Sequence, residues 1–203
     1  MRKVVLASGN QGKLREFAHL FSSMDIEVLQ QSAFNVPEAD ETGLSFVENA
    51  ILKARNAAQH TGLPAIADDS GIEVDALQGS PGIYSARYAG IGASDTANLN
   101  ALLTALKDVP EKGRTARYQC LLVYMRHAED PTPLICQGSW EGRILTTPVG
   151  DGGFGYDPIF WVDEKQCSAA QLTANQKHAL SHRGKAMRQF MTAFQANITT
   201  QYT

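Results

Sequence analysis

Hydrophobic positions along this chain recur in two periods, and each period predicts one kind of element. Spacings of three and four residues, typical of amphipathic helices, follow positions 12, 45, 95 and 183. Short apolar runs or alternating positions, typical of strands, lie between them at 4–7, 27–29, 64–67, 72–76, 118–124, 134–140 and 159–161. Helices that alternate with strands in this way predict an α/β fold.

Two of the predicted helix starts carry side chains that can cap them. Ser45 is followed three residues later by Glu48, and Thr173 in the same way by Gln176, so both pairs match the capping-box pattern. The second pair is expected to open a short helix that runs through Lys177. Both boundaries are therefore predicted from local chemistry as well as from periodicity.

Polar residues on the helix that begins after Ser45 fall into a row. Asn49, Lys53 and Asn56 recur at i, i+4 and i+7, so they share one face of that helix. Such a row is either a solvated surface or one wall of a functional site, and the sequence leaves both interpretations open. Elsewhere, two glycine-rich segments, 79–94 and 146–155, are expected to be long surface loops.

Composition narrows the class of protein. The 203 residues, of which 43% are hydrophobic and 19% charged, are typical of one globular domain, covering residues 1–203. The net charge of −3 argues against nucleic acid as a partner, because binding to a phosphate backbone needs a surplus of Lys and Arg. No apolar stretch approaches the roughly 20 residues of a membrane span, so no membrane partner is expected.

Three cysteines, Cys120, Cys136 and Cys167, are odd in number and widely spaced. That pattern fits neither a disulfide framework nor a pair of metal-binding thiols, and it is typical of free thiols in a reducing compartment. The apolar run after Arg2 and Lys3 ends at position 7 and is too short for a signal peptide. We therefore expect a cytoplasmic protein.

Small residues between the first predicted strand and the first predicted helix form the most informative motif. The turn reads Ser8, Gly9, Asn10, Gln11, Gly12, Lys13. Backbone N–H groups at a helix start attract anions, and a lysine beside them can meet a second phosphate, so the turn predicts a polyphosphate site. It differs in spacing from the loop of P-loop NTPases, and no Ser or Thr follows Lys13 to bind a metal ion. A metal ion must therefore be bound by residues elsewhere.

Carboxylates that can supply this metal site occur in two places. Asp68 and Asp69 follow the apolar run 64–67, whose strand we expect to end at them, and adjacent side chains there point to opposite sides. Asp40 and Glu41 lie in an acidic loop, and either of them could be a ligand. Mg²⁺ is commonly bound by one or two carboxylates together with substrate phosphates. These acids therefore predict a Mg²⁺ site.

Cationic and aromatic side chains are candidates for binding the rest of a nucleotide. The cations most expected to face the same site are Lys13, Lys53, Lys177 and Arg183. Phe154 and Tyr156 can each stack on a base or fill the core, and the sequence does not decide between these roles. His182 and Arg183 place two donors side by side at a helix start, where they can bind a carbonyl on a purine edge.

Several of these motifs together resemble one protein family. In chain order they are Ser8-Gly9-Asn10, Phe46-Val47-Glu48-Asn49-Ala50, Ala67-Asp68-Asp69-Ser70-Gly71, Gly152-Gly153-Phe154-Gly155-Tyr156-Asp157-Pro158 and Ser181-His182-Arg183-Gly184. Five separated motifs in this order, spread over nearly the whole chain, resemble the Ham1 family, which is the inosine triphosphatase family of noncanonical purine nucleoside triphosphate pyrophosphatases. The turn begins with Ser8 where many relatives have Thr, and the hydroxyl group is retained.

The resemblance implies both a fold and an activity. The fold is an elongated α/β fold, a mixed sheet flanked by helices, with two lobes and a central nucleotide cleft, and family members are homodimers. The activity is Mg²⁺-dependent hydrolysis of ITP, dITP and XTP to the monophosphate and pyrophosphate. Removing these nucleotides from the pool prevents their incorporation into DNA or RNA.

Roles for individual residues follow from the same resemblance. Asp69 is the catalytic carboxylate and a metal ligand, and Asp40 or Glu41 completes the metal site. The segment from Ser8 to Lys13 binds the triphosphate. The other substrate contacts are Ser70, Phe154, Gly155, Tyr156, Asp157, Lys177, His182 and Arg183. We also expect Lys53 to act in catalysis, because its charge can offset the charge that develops on the pyrophosphate leaving group.

Two other kinds of function remain open. One is a regulatory module that binds a nucleotide without turnover, which would share the phosphate turn but would not need Asp69 and the acidic loop together. The other is a phosphohydrolase that releases orthophosphate from the γ position or acts on another phosphorylated metabolite. Identification of the product, pyrophosphate or orthophosphate, distinguishes these functions.

Overall fold

The computed structural model describes residues 2–22 and 24–200, without the side chains of residues 11, 16, 20 and 197–200. The α-helices of this part are α1 (Gln11–Phe21), α2 (Phe46–Thr61), α3 (Asp95–Ala105), α4 (Ala174–Leu180) and α5 (His182–Thr200). Its strands are β1 (Arg2–Leu6), β2 (Ile26–Gln30), β3 (Ala65–Val74), β4 (Thr115–Met125), β5 (Leu134–Ile144), β6 (Phe160–Val162) and β7 (Cys167–Ser168).

These strands form a mixed sheet in the order β2-β1-β3-β4-β5-β6-β7. β1 pairs in parallel with both β2 and β3, whereas β6 pairs antiparallel with β5 and with β7. Parallel neighbours need a crossover connection, and α1 and α2 supply it at the start of the chain. The predicted α/β class, with a mixed sheet flanked by helices, is confirmed.

The predicted helix starts agree with the structure. Ser45 caps α2, since its side chain accepts a hydrogen bond from the backbone N–H of Glu48. Thr173 and Gln176 form a complete capping box at the start of α4. α3 begins at the predicted Asp95, and α5 begins one residue before the predicted position. Local capping chemistry was therefore a sufficient guide to the starts of α2 and α4, and periodicity to those of α3 and α5.

The expected end of a strand at Asp68 and Asp69 is wrong. β3 runs without interruption from Ala65 to Val74, so both acids lie within it. β1 ends at Leu6, which pairs with Ile66, and β3 continues beyond that pair. Two acids followed by Ser and Gly are typical of a turn, but lysines from α1 and α2 pair with these acids in the extended chain.

One of the two expected surface loops needs correction. The segment 79–94 is not entirely a surface loop, because Gly82–Arg87 forms a 3₁₀ helix in which Ser85 is buried. The Ser85 hydroxyl accepts a hydrogen bond from the backbone N–H of Ile72 and so attaches this helix to β3. The two-residue strand β7 has no periodicity from which it could be predicted. The segment 146–155 contains neither helix nor strand, as expected.

The chain divides into two compact units. The first contains the described residues of 1–69, 121–137 and 186–203, and its core includes the rings of Phe21, Phe190 and Phe194 in edge-to-face and stacked contacts. The second contains 70–120 and 138–185. Its core joins apolar side chains of α3, β3, β4, β5 and β6, with Tyr118, Trp140 and Phe160 as the aromatic members. The three cysteines are free, as expected.

Among the described helices, none combines the length and the apolar character that crossing a membrane requires.

Candidate active site

The turn after β1 is capped by its own asparagine. Asn10 lies in extended conformation before α1, and its Oδ1 accepts hydrogen bonds from the N–H groups of Gly12 (2.8 Å) and Lys13 (3.2 Å). A phosphate that uses these two N–H groups has to displace the Asn10 side chain. At Gly9 an added Cβ would have nothing within 4 Å, so the turn has open space beside it. The Ser8 hydroxyl accepts from the N–H of Asn10, and the side chain of Gln11 is outside the described part.

Lys13 pairs with the first acid of β3. Its Nζ lies 2.7 Å from Oδ1 of Asp68, which is only 2% exposed. Because β3 continues past its last pair with β1, Asp68 stands beside the turn that follows β1. Alternation along the strand directs Asp69 to the opposite face of the sheet. Asp68 therefore connects the phosphate turn to the sheet and leaves Asp69 available for a different contact.

Lys53 brings two carboxylates together on that other face. Its Nζ lies 2.8 Å from Oδ1 of Asp69 and 3.1 Å from Oε1 of Glu41. Burial raises the pKa of Asp69 by more than the charge and hydrogen bond of Lys53 lower it. Burial alone lowers the pKa of Lys53, but the charge and hydrogen bond of Asp69, with the charges of Asp68 and Glu41, raise it above its ordinary value. Lys53 is therefore a firmly charged ammonium group.

The polar row on α2 holds the acidic loop. Asn49 is fully buried, and its Oδ1 accepts from the N–H of Gly43 at 2.9 Å. Asn56 donates from Nδ2 to the carbonyl of Pro37 at 2.7 Å, and Lys53 binds Glu41 between these two contacts. Of the two interpretations of this row, the solvated surface is therefore wrong.

The acidic loop also distinguishes its two acids. Glu41 meets the ammonium group that binds Asp69, whereas the Asp40 side chain is exposed. Among residues 2–22 and 24–200, no three His, Cys, Asp or Glu side chains are grouped to hold a metal ion. Two carboxylate ligands do fit Mg²⁺, which usually keeps water and substrate phosphates among its ligands, but do not fit a closed all-protein site.

The glycine-rich segment before β6 separates its two aromatic residues. Phe154 is 62% exposed, and the ammonium of Lys177 lies 4.2 Å from its ring centroid. Tyr156 is buried, and its hydroxyl donates to the carbonyl of Ser85 at 2.7 Å. Of the alternatives left open for these residues, the Tyr156 ring is part of the core, whereas the exposed Phe154 ring remains a candidate for stacking on a base. Gly155 donates its N–H to Asp95 at the start of α3.

Asp157 organises this segment from inside. Its buried carboxylate pairs with Lys177 and accepts from the N–H of Phe154 at 2.8 Å. A Cβ at Gly153, whose φ is +76°, would overlap the same carboxylate, so only glycine fits there. The charge of Asp157 is therefore already paired within the protein, whereas the ring of Phe154 is exposed.

The start of α5 carries the last group of expected contacts. His182 is buried, and its ring stacks on that of Tyr118 with 4.7 Å between centroids. The guanidinium of Arg183 donates from Nη2 to the hydroxyl of Ser70, at 3.4 Å. Ser181 accepts from the N–H of Gly184 and so caps the helix.

The expected site residues thus form two groups, one in each unit. The first group contains the turn 8–13, Glu41, Lys53 and the two acids of β3. The second contains Ser70, the segment 154–157, Lys177, His182 and Arg183. Sequence reasoning missed the part of Tyr118, which contacts both His182 and Asp157, because its alternation with polar neighbours is typical of any core strand residue.

A mixed sheet, a turn before the first helix and a cluster of lysines and carboxylates are features of α/β proteins that bind phosphorylated ligands. The sequence profile of the Ham1 family matches residues 4–193, and the chain belongs to this family. It is 62% identical over 199 residues to the dITP/XTP pyrophosphatase of Vibrio cholerae, covering 98% of this chain and 100% of the relative. The dITP/XTP pyrophosphatase of Escherichia coli is 59% identical, and the match covers 95% of this chain and 98% of that relative.

Solved structures agree with this assignment. A Ham1 protein from Coxiella burnetii matches with a TM-score of 0.94 and 47% identity, over 97% of this chain and all of that one. A nucleoside-triphosphatase, also named dITP/XTP pyrophosphatase, from Mycobacterium abscessus matches with a TM-score of 0.79 and 40% identity, over 93% and 98%. The expected family is therefore confirmed by both sequence and fold.

Proposed function

We propose that this chain hydrolyses ITP, dITP and XTP to the nucleoside monophosphate and pyrophosphate, with Mg²⁺ as cofactor. The observation that carries this function is the convergence of Glu41 and Asp69 on Lys53, with Lys13 and Asp68 beside the turn. Relatives of 62% and 59% identity are named dITP/XTP pyrophosphatases, and they match nearly the whole chain. Charge for binding a triphosphate and acids for activating water therefore occur together in a chain of the right family.

Glu41 and Asp69 would hold the metal ion, with substrate phosphates and water as its other ligands. When bound, Mg²⁺ supplies positive charge to the phosphate oxygens and lowers the pKa of bound water. Asp40, although adjacent to Glu41, is exposed and is assigned no part in the metal site.

Asp69 orients the water that attacks the α-phosphorus and accepts its proton. A carboxylate is ordinarily a weak base at neutral pH, so positioning of the water by Asp69 contributes more than proton abstraction. Lys53 and Lys13, with the N–H groups of the turn, offset negative charge on the departing pyrophosphate. The water gains its position from Asp69 while the leaving group gains stability from the lysines.

The second group of residues selects the base. Inosine and xanthosine carry a carbonyl oxygen at position 6, where adenine carries an amino group. Donors on His182 or Arg183 bind the oxygen but oppose the amino group, and an unpaired buried donor can discriminate by about 10⁴-fold. Guanine shares the carbonyl and is refused at position 2, where its amino group meets a donor or a wall. Phe154 provides an exposed ring on which the purine can stack.

This activity removes noncanonical purines from the cytoplasmic nucleotide pool before they reach DNA or RNA. Three free thiols are consistent with a reducing compartment. The active form is a homodimer, as the family resemblance implies. Size-exclusion chromatography with light scattering tests the dimer independently of the activity.

The decisive experiment incubates the protein with Mg²⁺ and ITP, dITP, XTP, GTP or ATP and measures pyrophosphate and orthophosphate separately. We expect pyrophosphate from the first three and much slower turnover of GTP and ATP. Orthophosphate as the sole product would indicate a γ-phosphohydrolase. Tight binding with no product would indicate a regulatory module.

Replacement of Asp69 by Asn tests its role directly. The amide keeps the size of the side chain but cannot accept the proton of the attacking water, so we expect kcat to fall at least about 10³-fold. Calorimetric titration with a non-hydrolysable ITP analogue should still show binding. Asp108→Asn, at an exposed carboxylate, is the control and should leave kcat unchanged. Turnover by Asp69→Asn at the wild-type rate would contradict the assignment.

A further inference from the structure

Tyr118 contacts two residues of the second group, His182 and Asp157. It lies in β4, is 8% exposed, and belongs to the core of the second unit. Its ring contacts His182 at the start of α5, and its hydroxyl contacts Asp157 in the segment before β6. Packing in the core is enough to explain why a tyrosine is buried here. The two contacts, however, connect Tyr118 to residues that the proposed function places around the base.

The ring of Tyr118 fixes the plane of the His182 imidazole. The two ring planes differ by 10°, with centroids 4.7 Å apart. Trp140 lies parallel to the same imidazole within 18°, at 6.5 Å, and Phe160 is tilted against both Tyr118 and Trp140. A histidine ring has a broad torsional well about its second side-chain bond, so its orientation depends on such neighbours. Stacking therefore holds the plane in which its ring nitrogens lie.

The hydroxyl of Tyr118 reaches the other motif. It donates to Oδ1 of Asp157 at 3.4 Å, while the same carboxylate binds Lys177 and the N–H of Phe154. Burial, and then the charge of Asp157, raise the pKa of Tyr118 well above its ordinary range. The hydroxyl consequently stays protonated and remains a donor. One rigid side chain thus contacts His182 through the face of its ring and Asp157 through its hydroxyl group.

We propose that Tyr118 is a positioning residue for base selection, which aligns the His182 imidazole with the purine edge through ring stacking. This role rests on the proposed function, because it requires His182 to read the base. Discrimination between a carbonyl and an amino group depends on a donor held in one plane, since a ring free to tilt would move its N–H out of line with the carbonyl oxygen. Loss of the stack should therefore lower selectivity more than it lowers turnover.

Three variants separate the ring from the hydroxyl and from general packing. Tyr118→Met fills similar space without a planar ring, and Tyr118→Phe keeps the ring and removes only the hydroxyl. Tyr124→Met is the matched control, because Tyr124 lies on the same strand but packs against Phe190 and Phe194. For each variant, kcat/KM for ITP and for ATP gives the selectivity ratio, and two-dimensional NMR gives the chemical shifts of the His182 ring protons.

We expect Tyr118→Met to lower the ITP to ATP ratio at least about tenfold and to reduce the ring-current shift of the His182 protons to the part that Trp140 contributes. Tyr118→Phe should keep the ratio within about threefold and the ring-current shift in place, with a rise of about threefold in KM for ITP through Asp157. Tyr124→Met should keep both readouts even where it lowers the melting temperature.

A wild-type ratio in a folded Tyr118→Met enzyme would overturn the inference, and so would an equal loss in Tyr124→Met. If Tyr118→Met does not fold, a loss of the ratio in Tyr118→Phe with the His182 shifts unchanged would overturn it, since the stack would then be intact. Failure of the proposed function appears separately, as a wild-type protein that releases no pyrophosphate from ITP.

Discussion

Lys53 is the residue that makes two acids of the first unit into one site. Glu41 and Asp69 come from different elements, and both approach a single ammonium group within 3.1 Å. Without that positive charge, two partly buried carboxylates would repel each other and favour protonation of one of them. In the proposed function Lys53 therefore has two tasks, which are to hold these acids ready for a metal ion and to offset charge in the reaction.

A pair of adjacent substitutions distinguishes the two acids of the loop. Glu41→Gln removes a carboxylate that faces Asp69 through Lys53, so we expect the Mg²⁺ concentration for half-maximal activity to rise at least about tenfold. Asp40→Asn removes the exposed carboxylate of the neighbouring residue, and it should shift this Mg²⁺ concentration less than about twofold. Titration of activity with Mg²⁺ at saturating ITP measures both. The opposite order would assign the ligand to Asp40.

Asp130 gives a pH-dependent prediction about stability. Its buried carboxylate accepts from the guanidinium of Arg126, and hydrogen bonds from Arg126 and Thr132 hold its pKa far below the ordinary 3.8. A carboxylate whose pKa is lowered by folding stabilises the fold at pH values above its pKa in the unfolded chain. This contribution is lost as the pH falls towards the pKa in the folded protein. We expect Asp130→Asn to unfold at a lower urea concentration than the wild type at pH 7. The difference between the two urea midpoints should become smaller below about pH 4.

Exposed Glu129, replaced by Gln, serves as the control for that comparison and should unfold like the wild type at each pH. A gap between Asp130→Asn and wild type that stays constant from neutral to acidic pH would show that the ionised form of Asp130 does not contribute.

At the scale of elements, the acidic loop is positioned by the helix that follows it. α2 holds the loop at both ends through Asn49 and Asn56, and Gly43 lies so close that an added Cβ would be 2.5 Å from Cβ of Glu48. Only a residue without a side chain allows this approach. The geometry of Glu41 is therefore set by packing at a residue two positions away.

Gly43→Ala tests that dependence. The added methyl group has to push the loop off α2, so we expect Glu41 to leave Lys53 and the requirement for Mg²⁺ to rise about tenfold, with little change in KM for the nucleotide. Thr42→Ala, at an exposed neighbour, should behave like the wild type. An unchanged Mg²⁺ requirement in Gly43→Ala would mean that the loop tolerates displacement.

Elements with strong local signals could be predicted from the sequence, and contacts between distant residues could not. The helices that begin after Ser45 and Thr173 were predictable because a capping side chain acts within one turn. The continuous strand through Asp68 was missed because lysines 55 and 16 residues away along the chain stabilise its two acids. The stacking of Tyr118 on His182 was unpredictable for the same reason, since alternation along a strand predicts that a residue is buried but not which residue it packs against.

At the scale of the whole molecule, the site residues divide by chemical task. The lysines and carboxylates that suit a triphosphate and a metal ion belong to the first unit, and the aromatic and donor residues that suit a base belong to the second. The boundary falls within β3, between Asp69 and Ser70. In the proposed function, consecutive residues of one strand thus belong to different tasks, so each group can be tested with a ligand that contains only its part of the nucleotide.

Hydrogen exchange with two ligands tests this division. Inorganic tripolyphosphate with Mg²⁺ lacks a base, so we expect it to slow amide exchange in segments 8–13 and 36–43 and to leave 152–157 and 177–183 unchanged. An α,β-methylene analogue of ITP carries the base and resists hydrolysis, so it should slow exchange in all four segments. Mg²⁺ alone sets the baseline. Ligands slow exchange where they suppress local opening, so the pattern reports which segments each part of the nucleotide orders. Equal protection of 152–157 by tripolyphosphate and by the analogue would show that this segment responds to phosphate, and the assignment of the base to the second group would then fail.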